Sequence, residues 1–138
     1  YRNFPEEWQY LMDRIVSEKI RGVVFLTGDL HSGQVNKIEH VWKNISSTLY
    51  EVISSPLTAG ADTELKNPAR LDIFAGDEES ITAQNFVTLD FQGPLNDRKM
   101  LIRYWDSDGK LLNQKRGADP GTPTDLSVIH ASDLIPRN

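Results

Sequence analysis

No cysteine occurs among the 138 residues of this chain. That excludes a thiol nucleophile, a disulfide framework and a thiolate zinc site, and leaves the compartment open. Positive charge is in deficit, with 15 Lys and Arg against 20 Asp and Glu and a net charge of −5. The balance argues against a nucleic-acid backbone or an anionic membrane as the main partner. Long apolar runs are also missing, and none approaches the roughly 18 residues of a membrane span. Neither an initiator Met nor a signal-peptide pattern precedes Tyr1-Arg2-Asn3-Phe4-Pro5, which predicts a processed or truncated product starting just ahead of a helix. Internal repeats and low-complexity tracts are lacking as well. What remains is 38% hydrophobic, enough for a real core in one ordinary domain or in a piece of a larger one.

Periodicity places the elements. Trp8, Leu11, Met12, Ile15 and Val16 form one apolar stripe, so a helix is predicted over Pro5–Lys19. Pro5, Glu6 and Glu7 suit its start, and Gly22 stops it. Val23–Leu26 follows as an unbroken apolar run, the pattern of a strand buried on both faces inside a parallel sheet. Val35–Val41 reads as an ambiguous, mixed strand, and Thr48–Ser54 as a better one, ended by Ser55-Pro56. Thr58 to about Ser80 is polar and turn-rich and predicts a long loop. Phe86–Phe91 and Met100–Trp105 are predicted antiparallel strands, with Lys110–Lys115 a weaker third beyond the Asp106-Ser107-Asp108-Gly109 turn.

Chemistry concentrates where the first strand ends, at Thr27-Gly28-Asp29-Leu30-His31-Ser32-Gly33. Ligands of open α/β sheets collect at the carboxyl ends of strands. A carboxylate and an imidazole two residues apart can bind a metal or move protons there. The plainer alternative is an aspartate capping a turn beside a solvent-facing histidine. Ser32 and Gly33 are expected to shape the turn.

These segments, in this order, resemble a known family. The opening helix, the strand into Thr-Gly-Asp-Leu-His, and Leu49-Tyr50-Glu51-Val52-Ile53-Ser54-Ser55-Pro56-Leu57-Thr58 are similar to the C-terminal part of PhoD-like phosphatases (alkaline phosphatase D), a branch of the calcineurin-like metallophosphoesterases. Trp105-Asp106-Ser107-Asp108-Gly109-Lys110 resembles that family's closing hairpin. The wider superfamily carries Gly-His-x-His at this strand end, and the PhoD-like branch replaces the first histidine by aspartate. By resemblance, Asp29 and His31 are metal ligands. An aspartate oxygen suits a harder ion, so calcium and iron are favoured, with zinc and manganese open. The family's upstream Asp-x-His, Gly-Asp-x-x-Asp and Gly-Asn-His-Asp/Glu motifs are not found here. Two ligands do not make a two-metal site, so the N-terminal remainder of the catalytic domain is an implied partner and the chain alone is expected to be inactive. A periplasmic or secreted setting is implied by resemblance alone.

Other residues weigh less. Glu51 reads either as an acceptor orienting a ligand such as His31 or as a Glu facing solvent or a basic partner. Ser54 and Ser55 suit a strand-end turn better than a phosphate contact. Asp106-x-Asp108-Gly109 fails as a calcium loop, because Lys110 and Gly117 stand where further oxygen ligands are needed. His40 and His130 read as structural or surface residues, and Trp8, Trp42 and Trp105 as packing residues. A serine hydrolase using Ser32, Ser54 or Ser55 lacks a Gly-x-Ser-x-Gly elbow.

The expected fold is therefore α/β, a partial metallophosphoesterase sandwich with a mixed sheet, one flanking helix and a C-terminal antiparallel hairpin. The organisation is helix, strand, ligand loop and strand over 1–60, a loop over 61–84 and antiparallel strands over 85–138. The expected function is metal-dependent hydrolysis of phosphate mono- or diesters, the alternative a non-catalytic β-rich accessory module.

Overall fold

The computed structural model describes residues 3–61, 81–113 and 128–137. It is a mixed α/β arrangement of one α-helix and two three-stranded sheets. The helix α1 spans Pro5–Ser17, with Pro5 in its first turn and Met12, Ile15 and Val16 buried. It ends two residues before the predicted Lys19. Lys19 itself takes the left-handed backbone, φ 53°, ahead of Gly22 at φ 72°, so the reversal starts before the glycine.

The first sheet has the order β1-β3-β2, from Val24–Thr27, Ile45–Ser54 and Gly33–Trp42. β1 runs parallel to β3, as the apolar run predicts, while β2 and β3 form a ten-pair antiparallel hairpin. The hairpin tip carries no Asn-Gly or Asp-Gly signal, because Lys43 adopts the positive φ of 53°. One expectation is met only in part. β1 lies at an edge of the sheet among the described residues, and while Val24 and Phe25 pack against opposite cores, Leu26 is 64% exposed. An apolar run reports that a strand can be covered, and tertiary packing decides how far along its length it is.

Alternation along β2 and β3 feeds two cores. Ile38 and Leu49 pack with Met12 and Ile15 beneath the helix. Val35 and Val52 face the other way, onto Met100, Ile102, Tyr104, Ile129 and Leu134. Most of those belong to the second sheet, order β4-β5-β6, formed by Phe86–Gln92, Lys99–Trp105 and Val128–His130. The predicted hairpin of β4 and β5 is present, with Arg103 and Asp90 paired across it. The third strand of that sheet is β6, which pairs with Lys99–Leu101. Of the predicted Lys110–Lys115 strand, the described residues form an antiparallel bridge from Leu111 to Trp105, and the Leu112 N–H donates to the Tyr104 carbonyl at 2.8 Å. Residues 114–115 and most of the predicted 58–80 loop lie outside the described residues.

Tyr104 fastens the two sheets. It is fully buried, and its hydroxyl, donating, sits 2.7 Å from the carbonyl oxygens of both Gln34 and Ile53, which face each other on β2 and β3. Gly33 makes room for the ring. A Cβ there would stand 2.8 Å from Tyr104 Cε1 and 3.1 Å from Ile81 Cβ. Gly33→Ala should therefore lower stability by about 1–3 kcal/mol, the usual cost of overpacking a core that cannot shift. Thermal melts of the two proteins check this, and equal midpoints would contradict it.

Candidate metal centre

β1 and β3 are parallel, so both deliver their carboxyl ends to one edge of the sheet. The loop between β1 and β2 holds Gly28 to Ser32 at that edge. It is docked on the segment leaving β3: the Ser55 N–H donates to the Ser32 carbonyl at 3.2 Å, and Gly33 exchanges backbone bonds of 2.8 and 2.9 Å with Ile81. Asp29 takes φ 72°, a left-handed conformation that aspartate tolerates better than most side chains. Such outliers gather at functional sites. The His31 N–H donates to the Asp29 carbonyl at 3.1 Å, closing a tight turn between the two candidate ligands.

Asp29 is exposed and His31 half-buried, and neither side chain is engaged in a hydrogen bond or ion pair among the described residues. A carboxylate oxygen and an imidazole nitrogen left uncommitted fit a metal in donor chemistry. They do not fill a coordination sphere: no group of three or more His, Asp or Glu suited to one ion occurs among the described residues. The donor set thus fits part of a metal site.

The neighbouring polar side chains have defined structural tasks. Ser32 is fully buried, and its Oγ accepts from Gln34 Nε2 at 2.8 Å. Ser54 Oγ donates to buried Asn85 Oδ1 at 3.0 Å, and the Asn85 N–H donates to the Pro56 carbonyl. Ser32 and Ser54 thus both help to hold turns. Glu51 is half-buried and bonds neither His31 nor a basic side chain among the described residues. Thr27 Oγ1 donates to its Oε1 and Asn36 Nδ2 to its Oε2, each at 3.0 Å. Thr27 and Asn36 escaped the sequence reading because only strand register brings them to Glu51. Asn36 stands directly opposite it on β2.

The remaining candidates are structural. His40 Nε2 lies 2.7 Å from Asp13 Oδ1 and ties β2 to α1. His130 caps the 3₁₀ turn Ala131–Leu134. Trp8 packs on Phe25, Trp105 Nε1 donates to Thr88 Oγ1, and Lys43 Nζ lies 4.3 Å over the Trp42 ring. Asp106 Oδ1 accepts from the N–H groups of Asp108 and Lys110, forming a turn rather than a calcium loop. No helix is long and apolar enough to cross a membrane among the described residues.

Compared with known proteins, residues 2–97 match the family model of the PhoD-like phosphatases. That span takes in the helix, the whole first sheet, the Asp29–His31 loop and β4. No curated protein and no solved structure matches the chain.

Proposed function

The chain belongs to the PhoD-like phosphatase family, and from that membership we propose that it forms part of a metal-dependent hydrolase of phosphate mono- or diesters. Phosphatase-type chemistry is what the family carries, and PhoD-like phosphatases are metal-dependent. The observation that supports the finer reading is the loop at the carboxyl ends of β1 and β3, where Asp29 and His31 offer two donors of different chemistry, uncommitted among the described residues.

In this reading Asp29 would hold a metal through a carboxylate oxygen and His31 through an imidazole nitrogen. The oxygen favours calcium or iron, and the imidazole also accommodates zinc or manganese. When bound, the metal supplies Lewis-acid stabilisation of charge spreading over the phosphoryl oxygens. The sheet contributes placement. β1 and β3 set the loop at their common end, and Ser32 and Ser55 join it to the strand beyond. The remaining ligands and the rest of a metallophosphoesterase sandwich would come from outside these 138 residues, so the chain alone is expected to be inactive.

The test is an assay of the natural full-length protein on para-nitrophenyl phosphate and on bis(para-nitrophenyl) phosphate. Hydrolysis of at least one ester is expected, abolished by a chelator and restored by added calcium or manganese. Hydrolysis of neither ester, or hydrolysis indifferent to chelation, would overturn the reading in favour of a non-catalytic module.

A further inference from the structure

β1 is a poor support for a metal ligand. It has four residues, pairs on one side only among the described residues, and ends in the exposed Thr27, two residues before Asp29. A short edge strand of this kind frays at its end. His31 lies at the opposite end of the same loop, two residues before β2 begins at Gly33. Something must hold the two ends of the loop at a constant separation if both residues are to serve one ion, because ligand geometry tolerates errors of only a few tenths of an ångström.

Glu51 is placed to do this. It lies on the central strand of the sheet, opposite Phe25 on one side and Asn36 on the other. One carboxylate oxygen receives Thr27 Oγ1–H and the other receives Asn36 Nδ2–H, both at 3.0 Å. Thr27 is the last residue before the loop and Asn36 lies three residues into the strand after it. A single carboxylate therefore bridges all three strands across both ends of the loop. The Asn36 bond is part-buried and the Thr27 bond exposed.

Asn36 shows that the clamp has a cost. Among the described residues its buried Oδ1 has no hydrogen-bond partner. Flipping the amide would turn Oδ1 against the Glu51 carboxylate, so the carboxylate keeps Nδ2 toward itself and leaves Oδ1 unpaired. Unsatisfied buried groups in native structures commonly mark such a functional constraint.

We propose that Glu51 is the positioning residue of the Asp29–His31 loop, its carboxylate stapling the loop's two ends through Thr27 and Asn36 and so setting the separation of the two ligands. The proposal rests on the reading of Asp29 and His31 as metal ligands. Glu51 touches neither the metal nor the substrate in this account.

The experiment compares Glu51→Ala, Glu51→Gln and Thr27→Val with the parent in the natural full-length protein, by manganese titration calorimetry and by amide hydrogen exchange over residues 28–32. Glutamine can keep both bonds, with its amide oxygen toward Asn36 and its NH₂ toward Thr27 Oγ1. Glu51→Ala is expected to weaken manganese binding about 10–100-fold, the usual effect of losing a partner that supports a ligand, and to speed exchange across the loop. Glu51→Gln should stay within about threefold of the parent in affinity. Thr27→Val should reproduce part of the alanine effect, and it decides the matter if Glu51→Ala does not fold. Parent-like affinity and exchange in Glu51→Ala or, failing that, Thr27→Val would overturn the proposal. So would a glutamine variant as defective as alanine, because Glu51 would then act through its charge. If Asp29→Asn and His31→Ala leave manganese binding untouched, the ligand reading fails by itself, and the exchange data still report whether Glu51 holds the loop.

Discussion

Asp29→Asn in the natural full-length protein is expected to lower kcat/KM for para-nitrophenyl phosphate by about 10³-fold or more while leaving the melting temperature unchanged. The magnitude follows from metal-ion catalysis, worth several kcal/mol of transition-state stabilisation, at about 1.4 kcal/mol per factor of ten. Stability should hold for two reasons. Asp29 is exposed and its side chain is uncommitted among the described residues. Asparagine also tolerates the left-handed backbone that this position demands, φ 72°. His31→Ala should be comparably inactive, and the double variant little worse than the poorer single one, because ligands of one site act as a unit. Steady-state kinetics beside thermal melts make the comparison. Variants that keep activity within a few-fold of the parent would reduce the loop to a turn.

The largest loss of stability is expected at Tyr104. Tyr104→Ala should remove about 3–5 kcal/mol, as aromatic-to-alanine changes in packed cores do. That is a large share of the roughly 5–15 kcal/mol that holds a domain together. The residue has no exposed surface, packs in the core between the two sheets, and leaves two carbonyls without its hydroxyl when removed. Tyr104→Phe isolates the hydroxyl and should cost about 1–2 kcal/mol.

The tyrosine also sets a pH dependence. Burial pushes the Tyr104 phenol well above the usual tyrosine range. A group whose pKa is raised by folding contributes fully below its unfolded value and loses that contribution as pH climbs past it. The parent should therefore lose stability above about pH 10 at up to about 1.4 kcal/mol per pH unit from this group. Tyr104→Phe should flatten that decline. Some slope will persist from Tyr50, which burial also raises. Urea denaturation at pH 8, 10 and 11 measures the difference, and parallel pH profiles for the two proteins would refute the assignment.

Local pattern carried a good part of this fold. The stripe from Trp8 to Val16 implied α1, the apolar run to Leu26 implied a parallel strand, and the β-rich segments Phe86–Phe91 and Met100–Trp105 implied a hairpin. Each depends on side chains a few residues apart, so each is written in adjacent sequence. The short β6 was not legible. Its partner Lys99–Leu101 lies far back along the chain, and three residues hold too little periodicity to stand out. The candidate ligands were legible because Asp29 and His31 sit on one turn.

By itself, then, the sequence determined the helix, the parallel strand that follows it, and the pair Asp29 and His31 beyond that strand, because all of these are local. Only the tertiary structure decided that β1 stands at a sheet edge among the described residues, that Tyr104 joins the sheets, and that Glu51 reaches Thr27 and Asn36 rather than His31. Those contacts depend on strand order and register, which emerge only when distant segments bury their apolar faces against one another.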